Sequence, residues 1–529
     1  MNEIKNMNRA NRIVLLVSKL AIALVPFVFD VYYTTPDDPR YIALVSGAYT
    51  GIPEKELIFV GAILGGIEAR LYSYFPNFEW YSIAYYLFTL SAFSVILWQT
   101  LISDLDKWKK IVVALLVLIT QVYLSLTPQS TTLATQLGFA SFILLFSKNG
   151  GRKRYLLSWL LFFFATQMRF VAAFIPYMIT CPLFLKNIDL QSSMWWKEKV
   201  WIMGIILVAA VSFCVERNVY SSEEWKSFNT VNNARGYIVD NPMAINYSHE
   251  LKDEEDRLAF DLYYRYRIFD LNILTPEKLD EYQHVFKQRT YDSIRFNGRD
   301  YIKTYWNMGG WMVVLLCLWL SYELVRKHRW FALCLCLASI AMFVLANLNM
   351  MSTSLAKERV MLCSYVALLF TLLYFVFAYS RYSHVIIIAV CAVSSIQYLC
   401  KDYECIKDSC TPRPIIAETE MMIEKIKDSK VMLLVPTCLT PEAFHTSQSP
   451  IYKNSIVQGW MHFYPKADLS CQPFTAFTDG LPILVVKKSV EQLNIIQKLL
   501  KLHYNIDSKK VILGESDNYY LVKIEKNKI

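Results

Sequence analysis

Charge is scarce in this chain. Asp, Glu, Lys and Arg make up 19% of its 529 residues, against about 25% in an ordinary soluble protein. Hydrophobic residues reach 55% and aromatics 15%, where soluble chains are about 45–50% apolar. The balance argues against a soluble globular protein. Walker loops, Rossmann glycine patterns and Gly-x-Ser-x-Gly elbows are missing, which argues against a nucleotide-driven pump and a serine hydrolase. Neither CxxC pairs nor HxH or HExxH groups occur, so the usual zinc spacings are absent. The formal net charge is +9, yet no Lys/Arg run carries the interleaved aromatics of a nucleic-acid surface. Solenoid repeats and low-complexity tracts are lacking too. A first apolar run, Ile13 to Phe29, follows Lys5, Arg9 and Arg12 without a small-residue cleavage site, so it reads as a retained span.

What the chain does have is apolar runs of membrane-crossing length. Eleven spans are expected at about 13–30, 79–101, 110–127, 130–147, 155–169, 170–186, 200–216, 310–326, 330–348, 360–379 and 385–400, each near the roughly 17–25 residues a bilayer requires. The fold class is therefore an α-helical polytopic membrane protein. Basic residues collect on alternate loops: Lys107, Lys109 and Lys110; Lys148, Arg152, Lys153 and Arg154; Lys186, Lys197 and Lys199; Arg326, Lys327, His328 and Arg329; and Arg381. The positive-inside rule puts these loops and the N-terminus in the cytoplasm of a plasma or inner membrane. An odd number of spans then puts the C-terminus outside. Seven cysteines lie in or beside spans. Cys400, Cys405, Cys410, Cys438 and Cys471 fall at or beyond the last one, where some could pair.

Two domains are expected: a transmembrane module over 1–400 and a small exoplasmic α/β domain over 401–529. The module has exoplasmic loops at about 31–78 and 217–309. In the first, Ser46-Gly47-Ala48-Tyr49-Thr50-Gly51-Ile52-Pro53 marks a turn. Glu56 to Tyr74 then reads as a helix along the membrane surface. In the second, Ser221-x-x-Glu224 is a capping box, and Thr275-Pro276 starts a helix through Tyr282 and Phe286. The tail shows apolar runs at Val431–Val435 and Ile483–Val486, an amphipathic helix over Ser489–Leu502, and strands at Val511–Gly514 and Tyr519–Ile524.

Directly after the first span stands Asp37-Asp38-Pro39-Arg40-Tyr41. Charged groups at the mouth of a membrane helix usually face a cavity, a partner or a substrate. A carboxylate there can act as general base toward a hydroxyl. Two adjacent carboxylates repel, which lets one hold a raised pKa. Arg40 offers a planar fork for phosphate, and Tyr41 a hydroxyl or a stacking face. The alternative is an ordinary polar loop with Pro39 as its turn residue.

The stretch resembles the Asp-Glu-x-Arg-Tyr motif in the first exoplasmic loop of GT-C membrane glycosyltransferases. It is most similar to the branch holding the lipid A aminoarabinose transferases and the protein O-mannosyltransferases. Ser-Gly-Ala-Tyr-Thr-Gly also resembles bacterial membrane proteins of cell-surface polysaccharide loci. The resemblance implies a polyprenyl-phosphate-linked sugar donor and a glycan or lipid acceptor. It implies Asp37 as catalytic carboxylate, with Arg40 and Tyr41 toward the donor phosphate. Asp38 stands where the family has Glu, which leaves open which carboxylate is the base. No motif names a cofactor, and a divalent metal stays open.

Arg169, in an apolar turn between spans five and six, is a second phosphate candidate; the alternative is an arginine snorkelling to the headgroups. Lys357 and Arg359, where the chain enters span ten, are others, against a merely charged helix start. Arg235 and Asp30 could line the acceptor side of the cavity, or be a solvated face and a helix end. The expected activity is transfer of sugar to an acceptor hydroxyl at the outer face, with the donor beside spans five, six and ten. A polymerase of lipid-linked repeat units is the second enzyme reading. A lipid-linked oligosaccharide flippase is the non-enzyme reading, though no inverted repeat is visible.

Overall fold

A computed structural model of the protein describes residues 7–147, 151–182, 194–355, 357–380, 382–410, 413–426, 430–434, 439–467, 470 and 472–527. Lys148, Lys186, Arg381, Val435, Cys438 and Cys471 lie outside these. Each expected span falls on a helix: Arg9–Val28, Trp80–Ile102, Lys107–Leu126, Ser130–Phe146, Gly151–Met168, Phe170–Thr180, Met194–Val219, Gly310–Arg326, Trp330–Thr353, Glu358–Tyr379 and Ser383–Ser409. Among the described residues, seven helices are long and apolar enough to cross a membrane, or eight if Gly310–Arg326 is joined to Thr290–Asn307, from which it turns by 83°. Ser130–Phe146 and Phe170–Thr180 are apolar but shorter. This is a multi-pass helical membrane protein with a small C-terminal sheet.

The helix Ser130–Phe146 packs closely because its contact residues are small. A side chain on Gly138 would lie 2.5 Å from the Ala173 carbonyl oxygen, so the missing Cβ sets the approach to Phe170–Thr180. Ser141 bonds the Ser158 and Tyr177 hydroxyls at 2.9 and 2.7 Å, satisfying polar groups that lipid would leave bare.

The first loop begins with a short helix, Asp37–Val45, whose residues Tyr41 to Val45 are fully buried. It stops at a turn where Gly47 takes φ 78°, and a side chain there would meet the backbone of Ile52 and Pro53. The surface helix covers Ala62–Tyr74 and starts later than Glu56. Residues ahead of it form a bent segment, with Ile58 at φ 70°, Gly61 N–H on the Gln167 carbonyl and Ile58 N–H on the Tyr220 hydroxyl. In the second loop, Thr275 caps Pro276–Gln288 through the Lys278 N–H, as its sequence foretold. The other start is one residue off: Ser222, not Ser221, is the N-cap of Glu223–Val239, and its side chain makes no capping bond.

The tail forms five strands: β1 Val431–Leu434, β2 Ser455–Ile456, β3 Ile483–Val486, β4 Ser508–Glu515 and β5 Tyr519–Lys526. Their order is β2-β1-β3-β5-β4, with β1 parallel to β2 and β3 and the β3-β5 and β5-β4 pairs antiparallel. Residue 400 falls inside the helix Ser383–Ser409, so the chain passes into the tail without a break. The tail then folds back on the first loop. Ala443 N–H bonds the Val31 carbonyl, Tyr464 hydroxyl the Glu56 carbonyl, and Lys466 pairs with Glu54 and Glu56. One buried apolar cluster runs through Tyr41, Phe228, Tyr263, Trp460 and Leu484, joining both loops to the sheet.

Candidate active site

The two aspartates sit side by side at a helix start, where the unpaired N–H groups favour negative charge. Their surroundings differ. Asp38 is fully buried and accepts from the Tyr81 hydroxyl at 2.8 Å, the Ser130 N–H at 3.2 Å and the Thr35 hydroxyl at 3.2 Å. Burial pushes its carboxyl up to about 6, against the pull of those donors. Asp37 keeps a quarter of its side chain exposed and accepts from the Trp460 indole N–H at 3.2 Å. Burial pushes it up as well, but the charges of Arg40, Arg169 and Arg359 win, and its carboxyl lies below the usual value. One carboxylate is thus braced and the other is ringed by cations.

Each cation is placed by its own element. Arg40 lies one helical turn from Asp37, at 3.9 Å. It donates to the Gln458 carbonyl at 3.1 Å and packs over the Trp460 ring at 5.8 Å. Arg169 breaks the helix between Met168 and Phe170, donates to the Tyr41 hydroxyl at 3.4 Å, and stacks over Phe59 at 4.4 Å. Tyr41 is itself buried against Trp460, ring centroids 5.9 Å apart. Arg359 faces the Gln129 amide; with the amide oxygen turned to it, the guanidinium donates at 3.0 and 2.8 Å. Gln129 precedes Ser130, so this contact runs straight to the donor holding Asp38.

Lys357 pairs with Asp240 at 2.6 Å. Arg235 donates to Asn232 Oδ1 at 3.0 Å, and burial lowers its pKa while Asp240 and Asp37 oppose the shift. Asp30 is exposed near Tyr32 and Glu442 and belongs to a different neighbourhood. The structure therefore brings together Asp37, Asp38, Arg40, Tyr41, Arg169 and Arg359, adds Arg235 and Lys357 at the margin, and leaves Asp30 out. Among the described residues no group of three or more His, Cys, Asp or Glu side chains could hold a metal.

Five contributors were not picked out from sequence: Trp460, Gln458, Arg267, Tyr81 and Gln129. Arg267 adopts φ 63°, donates to the Val239 carbonyl, and accepts the Gly459 N–H on its own carbonyl. It ties the second loop to the tail segment that carries Trp460. Gly459 at φ 83° beside a tryptophan was the one local signal, a tight backbone that presents a large ring.

A polar cavity of about 440 Å³ opens beside these groups. Thr34, Thr35, Gln129, Thr132, Lys357 and Arg359 are among its lining residues. An apolar groove of about 250 Å³ shares Leu124, Thr132 and Leu362 with it and continues to Phe139, Val366, Phe370 and Tyr398. Its walls come mainly from Lys107–Leu126, Ser130–Phe146, Glu358–Tyr379 and Ser383–Ser409, which are spans three, four, ten and eleven, with Ile96 and Thr100 from span two. Span ten is where the donor was expected. From the expected spans five and six the groove takes Pro176 alone.

No protein-family model and no curated protein matches the chain. Among solved structures, ArnT from Cupriavidus metallidurans bound to undecaprenyl phosphate is 9% identical with TM-score 0.48, covering 96% of this chain and 97% of that one. The apo state of the same protein is 12% identical with TM-score 0.42 over the same shares. Neither likeness assigns a residue role or a reaction to this chain.

Proposed function

We propose that the protein is a GT-C-type membrane glycosyltransferase that moves a sugar from a polyprenyl-phosphate-linked donor to an acceptor hydroxyl at the exoplasmic face, in cell-surface glycan synthesis. One observation carries this reading: a partly open carboxylate, Asp37, is ringed by Arg40, Arg169 and Arg359, and Arg359 also lines a cavity that shares Leu124, Thr132 and Leu362 with an apolar groove. A phosphate on a long apolar tail has both chemistries, and Arg359 connects the cavity to the candidate base. In this reading the acceptor oxygen attacks the anomeric carbon with inversion. Asp37 takes the hydroxyl proton. The bond from that carbon to the phosphate oxygen breaks, and Arg359, Lys357 and Arg169 hold the departing polyprenyl phosphate.

Residues 1–400 would supply the groove and 401–529 the cover over Asp37, with the N-terminus cytoplasmic and the tail outside. The test is the purified protein in proteoliposomes with a panel of polyprenyl-phosphate sugars. Release of free polyprenyl phosphate that needs an acceptor, and that is lost in Asp37→Asn, is the expected result. Movement of the lipid-linked saccharide between leaflets without such release would overturn the transferase in favour of a flippase.

A further inference from the structure

The helix Thr290–Asn307 has two unlike faces. On one, Ser293, Asn297 and Tyr301 are buried. Ser293 donates to Asn241 Oδ1 at 3.2 Å in the second loop. Asn297 Nδ2 donates to the Met351 and Ser354 carbonyls at 3.1 and 2.9 Å, and the Tyr301 hydroxyl reaches the Ser354 carbonyl at 3.4 Å. The other face is bare. Tyr291, Phe296, Ile302 and Trp306 are 76%, 50%, 69% and 58% exposed, and Arg295, Arg299 and Lys303 are exposed with them. On a 3.6-residue period, Tyr291, Arg295, Arg299, Ile302 and Trp306 share one side. Asp292 and Lys303 border that side, and Asp300 lies off it.

The position of this helix says what covers the bare face. It turns by 83° into Gly310–Arg326, an apolar helix. If the second helix crosses the bilayer, the first runs nearly parallel to its surface. Its buried face is taken by the second loop and the end of Trp330–Thr353. Large apolar side chains alternating with arginines are what the headgroup zone takes: rings and alkyl groups enter the interface while guanidiniums meet phosphate.

We propose that Thr290–Asn307 lies flat on the membrane and binds acidic lipid headgroups through Arg295 and Arg299, with Tyr291, Ile302 and Trp306 set into the interface. The lipid contact then fixes more than this helix. Asn297 and Tyr301 grip Met351 and Ser354, and the chain reaches Lys357 and Arg359 a few residues on. In the transferase reading, on which this last link rests, the bilayer surface steadies the loop that holds donor phosphate.

The test uses the full chain in nanodiscs, so it does not depend on any activity. Phosphatidylcholine brominated near the glycerol end should quench a component of tryptophan emission that Trp306→Phe removes; the chain has 13 tryptophans, so the difference is what is read. Native mass spectrometry should show phosphatidylglycerol retained over phosphatidylcholine. Arg295→Glu with Arg299→Glu should cut that preference by about tenfold or more, since each basic residue near an acidic surface contributes about fivefold. Amide exchange over Ser354–Arg359 should speed in the same variant. No quenching due to Trp306, or unchanged phosphatidylglycerol retention after charge reversal, would overturn the proposal. So would a cross-link from residue 302 to a second copy of the chain.

Discussion

On the tail-facing side of the first-loop helix, Arg40 is buried to 6% exposure under Gln458 and Trp460, whereas on the other side Lys357 and Arg359 line an open polar cavity. Arg40 and Arg359 both bear on Asp37, while Lys357 is held by Asp240. They differ in what occupies them. Arg40 meets a backbone carbonyl, a ring and Asp37, with Nε as its one unpartnered nitrogen. Arg359 meets a neutral amide and open volume. A buried charge that loses its partner is costly, whereas a charge facing a cavity can exchange water for a ligand at little cost. The difference suggests that the cavity side binds and the tail side positions.

The largest effect should come where the two sides meet. Asp37→Asn keeps shape and removes the proposed base, so transfer should fall by about 10²–10⁴-fold with donor binding and folding retained. The measurement is single-turnover transfer beside equilibrium donor binding. Near-normal transfer would remove the first loop from the chemistry.

The next prediction separates the sides directly. Arg359→Ala should raise the donor KM by about 10–100-fold, the loss of a hydrogen bond to a charged group, with a smaller change in kcat. Arg169→Lys, which keeps charge and loses the fork, should move the same way by less. Arg40→Ala should instead lower thermal stability and kcat together, because it leaves the Gln458 carbonyl without its donor and Asp37 without its nearest cation. Equal rises in KM for Arg40→Ala and Arg359→Ala would erase the distinction and return Arg40 to a phosphate-binding role.

Sequence patterns disclosed the elements better than their meeting points. Eleven apolar runs fall on helices because span length is a property of consecutive residues. Thr275-Pro276 caps as expected because capping is local. The strand Ile483–Val486 was visible as a short apolar run, and Tyr519–Lys526 as a strand over Tyr519–Ile524. Asp37, Asp38, Arg169 and Arg359 stood out because charge near a membrane is rare. Trp460 did not, since it lies 423 residues from the carboxylate it touches, and the glycine before it does not say what the ring meets. The tail reads in sequence as a separate small domain, yet its apolar cluster continues into both loops. Continuity of packing across a chain this long leaves no periodic trace.

Trp460 therefore gives a test of the tail itself. Trp460→Phe keeps the ring against Tyr41 and removes the N–H to Asp37. A hydrogen bond to a charged group contributes about 1.5 kcal/mol or somewhat more, so kcat should fall roughly tenfold while KM for donor holds. A change confined to stability would make the tail a cover and no more.

The smallest effect belongs to Asp38, and it decides which carboxylate is the base. The charges of Arg40, Arg169 and Arg359 hold Asp37 below its usual value against burial, so it stays ionised where Asp38 titrates, near 6. With Asp37 as base, wild-type transfer should hold from pH 8 to about pH 6 and then step down slightly. Protonating Asp38 removes a negative neighbour, so Asp37 becomes a weaker base. The step should be about threefold or less, because basicity is only partly expressed in rate. The steep loss, tenfold per pH unit, should wait until Asp37 itself protonates, below the ordinary carboxyl range. Asp38→Asn should erase the small step and keep the steep limb, with activity at pH 7.5 within about tenfold of wild type on the same reasoning. Were Asp38 the base, the steep limb would begin near 6 in the wild type, because every proton it gains there removes a competent enzyme. Asp38→Asn would then be as inactive as Asp37→Asn is expected to be. The sign and steepness of the limb between pH 4 and 6 thus tell a braced neighbour from a base.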